Sequence, residues 1–218
     1  MYTIRDLYTL EHTMTADYLR RFTWPWEALK GIKDEILRLG EKLDKTLYRE
    51  VAPQVWVHVT ATVAHTAFLG APCIIGAGTE VRHCAFIRGS ALIGEGCVVG
   101  NSVELKNVIL FDGVQVPHYN YVGDSILGYK SHMGAGSITS NVKSDKSLVV
   151  IHGDPKIETG IKKVGAMLGD YVEVGCNSVL NPGTVIGRHS NVYPTSCVRG
   201  FLPEGCIWKN DGTVVKKH

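Results

Sequence analysis

Aliphatic residues recur at every sixth position over a long central stretch of the chain. The series runs through nine positions without a gap, and small or compact side chains stand four residues after its members. Its members are Val57, Val63, Leu69, Ile75, Val81, Ile87, Ile93, Val99 and Leu105. A helical period of 3.6 would spread these residues around a helix, and a strand period of 2 does not separate large positions from small ones. The pattern therefore indicates a hexapeptide repeat.

A hexapeptide repeat is typical of a parallel β-helix, in which each unit forms one flat side of a coil. The aliphatic residue then points to the axis, and the second inward position stays small because a narrow prism has little room. The repeat continues to residue 133, stops, and returns from Leu168 to Val198. The sequence therefore predicts an all-β fold of six to seven coils, if three units close one coil.

Three parts of the chain differ in pattern. Residues 1–50 lack the repeat, and apolar residues at 29, 32, 36 and 39 keep helical spacing after Pro25. We expect this part to be a helical cap over the open end of the coil, with a lid or partner-binding arm as the alternative. The β-helix should occupy residues 51–200, with an inserted loop at about 140–163. Residues 201–218 should leave the coil as a tail.

Two steps of the repeat shorten to five residues. They run from Leu105 to Leu110 and from Val122 to Leu127. A break in a strict pattern often marks function or strain. We therefore expect site residues in the interrupted region, and we expect His118, which lies between the two short steps, to be displaced from the regular wall.

Composition narrows the class of partner and compartment. The 218 residues carry 20% charged side chains and a net charge of +2, which is not the strongly basic balance of a nucleic-acid-binding domain. No stretch has the length and apolarity of a membrane span, so we expect a cytoplasmic protein without membrane or nucleic-acid partners. Of the six cysteines, Cys73 and Cys97 stand at small inward positions and are interpreted as core fillers.

The repeat resembles that of the left-handed β-helix acyltransferases, over about residues 57–200. The segments NSVELKN, PHYNYVGDSILG and GAGSITSN, between Asn101 and Asn141, resemble the acetyltransferase half of the bifunctional N-acetylglucosamine-1-phosphate uridyltransferase and related sugar-phosphate nucleotidyltransferases. The resemblance implies a left-handed parallel β-helix, a homotrimer, and acetyl-CoA or another acyl-CoA bound in clefts between subunits. Separately, the histidines lack a closely spaced pair, so we expect no metal.

The resemblance also implies roles for individual residues. His118, in the H-x-x-Y-x-G-D segment, matches the general base that acts on the amino group of the sugar. The substrate-binding matches are Arg88, Lys106, Tyr121, His132 and Asn141, and the acyl-CoA-binding matches are Cys176 and Pro194. His132 replaces a usual asparagine, Cys176 a serine and Pro194 an alanine. The glycine-rich nucleotidyltransferase element is missing, so we expect no pyrophosphorylase activity.

The predicted function is an acyl-CoA-dependent N-acyltransferase, with acetyl as the expected acyl group and an amino-sugar phosphate or nucleotide sugar as acceptor. A histidine suits the base because it can accept a proton near neutral pH. Two other classes stay open. One is a non-catalytic trimeric scaffold that binds a sugar nucleotide. The other is a zinc enzyme of the carbonic anhydrase type, for which His83, His118 and His132 are the candidate ligands.

Overall fold

Stacked parallel strands form the body of the molecule. The computed structural model describes residues 3–217, in which three flat walls wind around a common axis. The predicted fold class, an all-β parallel β-helix of hexapeptide units with an N-terminal helical segment, is confirmed. Inward aliphatic side chains from Ile75 onward are fully buried, and Val63 and Leu69 are only half-buried because no coil lies beneath the first one.

The strands are numbered in chain order and assigned to walls by their pairing. The first wall holds β2 (Val55–His58), β5 (Cys73–Ile75), β8 (Ala91–Ile93), the later parts of β10 (Glu104–Leu110) and β12 (Tyr121–Leu127), β17 (Ala166–Leu168), β20 (Thr184–Ile186) and β23 (Phe201–Leu202). The second wall holds β3 (Thr62–Val63), β6 (Glu80–Val81), β9 (Val98–Asn101), β11 (Gln115–His118), β13 (His132–Met133), β18 (Glu173–Val174), β21 (Asn191–Val192) and β24 (Cys206–Trp208).

The third wall is one strand shorter. It holds β4 (Phe68–Leu69), β7 (Phe86–Ile87), the first parts of β10 and β12, β14 (Ile138–Thr139), β19 (Val179–Leu180) and β22 (Cys197–Val198). We call the junction of the first and second walls the first corner, that of the second and third walls the second corner, and the return to the first wall the third corner.

The coil is longer than the sequence predicted. Thr139 occupies an inward position one unit beyond the expected stop of the repeat at residue 133, and its hydroxyl accepts a hydrogen bond from the Gly123 N–H at 3.0 Å. The coil also continues beyond residue 200, because the step from Val198 to Leu202 takes only four residues and β24 then completes another second-wall strand. The prediction that a tail leaves the coil at residue 201 is therefore wrong, because residues 201–208 still belong to the coil. Only β25 (Val214–Lys216) turns back, antiparallel to β24.

The N-terminal segment lies along the first wall and does not cap the open end. It contains α1 (Ile4–Leu7), α2 (Ala16–Leu19), a 3₁₀ helix (Pro25–Gly31) and α3 (Ile32–Gly40), followed by β1 (Tyr48–Ala52), which pairs antiparallel with β2. Helix α3 packs on β5, β8 and β10, and the Tyr8 hydroxyl donates to the Ile126 carbonyl at 3.3 Å. The expectation of an end cap is wrong, because an apolar outward surface on this wall needs cover.

That surface is a column of outward side chains in matching register. Strand residues alternate between the two faces of a wall, so the residue between two inward ones points outward. The column consists of Trp56, Ile74, Leu92, Ile109, Ile126, Met167 and Val185. All but the half-buried Trp56 are at most 1% exposed. The N-terminal segment therefore gives the coil a second hydrophobic layer.

Residues 140–163 form an arm at the third corner. Strands β15 (Val150–Ile151) and β16 (Ile157–Glu158) pair as an antiparallel hairpin, and Val142 bridges to Lys163 at the base. Val149 and Ile151 of the arm are buried, which shows that the arm folds back on the coil. No helix within residues 3–217 is long and apolar enough to cross a membrane.

Candidate functional site

The two short steps place a buried carboxylate at the third corner. Strands β10 and β12 run through this corner without a break, and Lys106 pairs in register with Gly123. Asp124 follows with a positive φ of 48° and is only 3% exposed. Losing one residue at the corner thus replaces the usual turn with a continuous strand that carries polar side chains.

Asp124 gathers most of the predicted substrate-binding residues. The Lys106 ammonium donates to its two oxygens at 2.8 and 3.1 Å, and the Asn107 amide donates to one of them at 2.9 Å. The Asn141 amide also donates to Asp124, and to the Tyr121 hydroxyl at 3.2 Å. We call these five residues the Asp124 cluster. Asp124 was missed as a site residue, although it is the aspartate of the H-x-x-Y-x-G-D segment.

The Tyr121 ring needs the glycine that follows it. A Cβ at Gly123 would lie 2.5 Å from the Tyr121 hydroxyl oxygen, closer than real Cβ contacts, so only glycine lets the ring lie there. Burial, with a further contribution from the charge of Asp124, raises the pKa of Tyr121. Tyr121 is therefore a neutral hydrogen-bonding group at the edge of the cluster.

Arg88 lies one coil before Lys106 at the same corner. Its guanidinium donates to Glu104 at 2.8 Å, and this contact raises the pKa of Arg88. Glu104 is in register with Tyr121, so Arg88 borders the Asp124 cluster. Arg88, Lys106, Tyr121 and Asn141 are thus neighbours, while both cations already face carboxylates.

His118 lies at the second corner, across the third wall from the Asp124 cluster. It ends β11 in regular register with Asn101, so the expected displacement from the wall is wrong. The chain shortens one wall later, at the third corner. The side chain is exposed, and its imidazole makes no hydrogen bond to the described residues 3–217. It is therefore open to a ligand from solvent.

Asn120 fixes the turn that presents His118. Its side chain is buried, accepts from the His118 N–H at 3.2 Å, and donates to the carbonyls of Gly134 and Ser137 at 2.8 and 3.0 Å. The Gly136 N–H donates to the His118 carbonyl at 3.0 Å. The turn is therefore tied to the next coil. Sequence reasoning assigned Asn120 no role, and a buried amide is not evident from sequence.

Cys176 and Pro194 lie further along the second corner. Gly136, Cys176 and Pro194 follow His118 on successive coils, and the Thr195 N–H donates to the Cys176 carbonyl at 2.8 Å. With strands about 4.8 Å apart, Cys176 is about 10 Å and Pro194 about 14 Å from His118 along the axis. Both are exposed. The three residues form a row that an extended ligand can follow.

Within one chain, His132 belongs neither to the Asp124 cluster nor to the row that begins at His118. It starts β13 near the first corner, in register with Gln115, and its Nδ1 lies 2.8 Å from a Glu173 oxygen. His118 is three residues further along the wall, about 10 Å away. His132 borders a cavity of about 520 Å³ that Lys130 and Tyr171 also line.

The three candidate zinc ligands are also separate. His83 lies at the second corner near the Asn101 side chain, which donates to its carbonyl at 3.0 Å, and His132 is at the other edge of the wall. Across residues 3–217 no three His, Cys, Asp or Glu side chains of one chain are placed to share a metal ion.

Comparison with known proteins gives three findings. A family model described as the GMPPB C-terminal domain matches residues 72–193. The bifunctional protein GlmU of Methanococcus maripaludis strain C5 is 33% identical over 134 residues, which are 61% of this chain and 33% of that protein. The bifunctional sugar-1-phosphate nucleotidylyltransferase/acetyltransferase of Sulfurisphaera tokodaii is 34% identical over 112 residues, which are 51% of this chain and 28% of that protein.

Among solved structures, a hexapeptide transferase family protein from Anaplasma phagocytophilum has 15% sequence identity and a TM-score of 0.42, with 74% of this chain and 78% of that chain covered. The chain spans about a third of the length of the curated relatives it matches. The residues matched by the family model include His118 and the Asp124 cluster.

Proposed function

This chain belongs to the GMPPB C-terminal domain family, and from that premise we propose that it is an N-acetyltransferase that uses acetyl-CoA and an amino-sugar phosphate or nucleotide sugar. The observation that carries the proposal is the exposed imidazole of His118, which stands on a turn fixed by the buried Asn120 side chain, at the head of a row of exposed corner residues. A relative named as a bifunctional nucleotidylyltransferase/acetyltransferase is 34% identical over 112 residues.

His118 would act as the general base. The amine nitrogen of the acceptor attacks the thioester carbonyl carbon, and its proton passes to the imidazole as the C–N bond forms. The C–S bond then breaks, and the proton on His118 can pass to the departing sulfur. An exposed imidazole without a hydrogen-bond partner among residues 3–217 suits this exchange, because the proton moves between two substrates and not between protein groups.

The glycine turn after His118 offers a donor for the oxyanion. The N–H groups of Gly134 and Gly136 are used, toward the carbonyls of Val174 and His118. The N–H of Ala135, between them, has no acceptor among residues 3–217. A fixed backbone donor aimed at the developing negative charge stabilises a tetrahedral intermediate. We assign Ala135 this role, one coil from the base.

The active form is proposed to be a homotrimer. The outward residues of the third wall include Phe68 and Phe86, 59% and 43% exposed, whereas the matching second-wall positions are mostly polar. The third wall also separates His118 from the Asp124 cluster. A neighbouring copy on this wall would cover the exposed rings and bring its own corner beside them.

The test is thiol release from acetyl-CoA with a panel of amino-sugar phosphates and amino nucleotide sugars, with the product identified by mass spectrometry. We expect at least one acceptor to be acetylated on nitrogen. In a separate assay with UTP and a sugar 1-phosphate, the protein should release no pyrophosphate. Tight binding of a sugar nucleotide with no acetyl transfer to any acceptor would instead favour the non-catalytic scaffold.

A further inference from the structure

A cavity next to the Asp124 cluster is lined by three lysines from outside the coil. It has a volume of about 300 Å³ and lies at the third corner. Residues 29–30 line it from the 3₁₀ helix, Asn107 and Asp124 from the coil, and residues 161–163 from the base of the arm. We call this cavity the lysine pocket, after Lys30, Lys162 and Lys163.

The lysine pocket carries uncompensated positive charge. All three lysines are exposed, and none has a carboxylate within ion-pair distance in the described part of the chain. The single carboxylate lining the pocket is Asp124, which already accepts from Lys106, Asn107 and Asn141. A concave surface with charge of one sign attracts a ligand of the opposite sign. The pocket is therefore suited to an anion.

Arg88 and Lys106, the two cations that the resemblance assigned to substrate binding, differ from these lysines. Arg88 is paired with Glu104 and Lys106 with Asp124, each at 2.8 Å. A phosphate that binds to Arg88 or Lys106 must compete with the carboxylate that is already paired with it. For Lys106 that carboxylate is the nearly buried Asp124. No carboxylate of residues 3–217 pairs with the lysines of the pocket, so they provide the stronger attraction for a phosphate group.

Both lysine-bearing segments are fixed to the coil at the same place. The Asn107 amide donates to the Leu29 carbonyl at 3.2 Å, which holds the residue before Lys30. Lys163 bridges to Val142, and the Val164 and Gly165 N–H groups donate to the carbonyls of Asn141 and Asp124 at 3.0 and 2.8 Å. The pocket is thus built by backbone contacts to the Asp124 cluster before any ligand arrives.

We propose that the lysine pocket binds the diphosphate of a nucleotide-sugar acceptor, an inference that rests on the proposed acetyltransferase function. The pocket and the Asp124 cluster share Asn107 and Asp124, so one ligand can touch both. A sugar monophosphate places its single phosphate directly beside the sugar, at the Asp124 cluster, where Lys106 is already paired with a carboxylate. A nucleotide sugar places two linked phosphates between its sugar and its nucleoside, which matches a cation-lined cavity beside a sugar-binding cluster.

Binding is tested by calorimetric titration of the full chain with UDP, inorganic pyrophosphate and inorganic phosphate. We expect UDP and pyrophosphate to bind more tightly than phosphate, and to weaken as salt is added. The double variant Lys162→Gln/Lys163→Gln should lose about tenfold or more in affinity for both, the loss for one missing charge-assisted hydrogen bond. Lys30→Gln should act in the same direction.

The control is Lys42→Gln, an exposed lysine after α3 that does not line the lysine pocket. It should bind UDP as the wild type does. Equal affinity of the wild type and the Lys162→Gln/Lys163→Gln variant for UDP and pyrophosphate would overturn the proposal. So would a loss of equal size in Lys42→Gln, because the effect would then be one of net charge.

The two proposals can fail separately. In one outcome, the chain acetylates an amino-sugar monophosphate as well as the matching nucleotide sugar, with neither rate changed in the lysine variants. That result would support the acetyltransferase function and contradict the assignment of the pocket. If UDP binds and the lysine variants lose that binding while no acceptor is acetylated, the pocket stands and the transferase falls. Circular dichroism of each variant excludes unfolding as the cause.

Discussion

At the scale of single residues, the His118 imidazole makes no hydrogen bond within residues 3–217, and the buried Asn120 side chain fixes the turn that presents it. This separation allows a clean test. His118→Ala should lower turnover roughly 100-fold to 10,000-fold, the contribution of a general base. The melting temperature should stay within a degree or so of the wild type, because exposed substitutions away from special contacts change stability little.

His65→Ala is the matched control, since His65 is another exposed histidine at the second corner. It should keep normal turnover. Normal turnover in His118→Ala would remove this histidine from the mechanism, and a lowered melting temperature with normal turnover would make it a structural residue.

The site residues show where sequence reasoning ends. The neighbours Lys106, Tyr121 and Asn141 were identified through local motifs, because each lies in a quoted segment of the chain. Asp124 stands in the same segment, but its hydrogen bonds reach Lys106, Asn107 and Asn141 on other coils, and the segment alone does not show them. Lys162 and Lys163 carry no motif at all. Their position depends on how the arm returns to the coil, which no local pattern records.

At the scale of elements, the first wall is stabilised from outside by the N-terminal segment. Ile109 is 1% exposed at the centre of the outward column, so Ile109→Ala should lower the free energy of unfolding by about 2 to 5 kcal/mol through the cavity it leaves. Denaturant-induced unfolding measures this. Gln115→Ala, at the matching outward position of the exposed second wall, should change stability by less than about 0.5 kcal/mol.

If Ile109→Ala lowered the free energy of unfolding as little as Gln115→Ala does, the segment would not bury Ile109 in solution. The column itself was readable in the sequence, because Trp56, Ile74 and Leu92 stand 18 residues apart and the next two follow at 17. The repeat of six drew attention to inward positions only. Which wall the N-terminal helices cover follows from this longer period, whereas the prediction of an end cap rested on the unpaired strand edges at the open end of the coil.

At the scale of the whole molecule, the three walls differ in what covers them. The first is covered by the N-terminal segment, the second is mostly polar, and the third exposes Phe68 and Phe86. Phe86→Glu should therefore convert a trimer into smaller species, because a charge would be buried without a partner. Sedimentation velocity measures the change. Gln115→Glu on the second wall should leave the assembly intact.

A trimer that persists in Phe86→Glu would place the interface on another wall, and a monomeric wild type would contradict the trimer itself. The hexapeptide pattern predicted the walls but not their different surfaces. It reports on the inward positions, whereas association depends on the outward ones, where the sequence is less regular.

The N-terminal segment also sets an order on biosynthesis. The Arg188 side chain donates to the Arg5 carbonyl at 2.8 Å, and the Thr9 N–H donates to Asp170 at 2.8 Å. Residues near position 5 thus find their partners only after residues 170 and 188 have been translated. Most coils can stack as they leave the ribosome, since each contacts only its neighbours. Helix α3 can cover the early part of the apolar column once β10 has formed. Ile4 and Leu7 of α1, by contrast, stay exposed to chaperones until the late coils arrive.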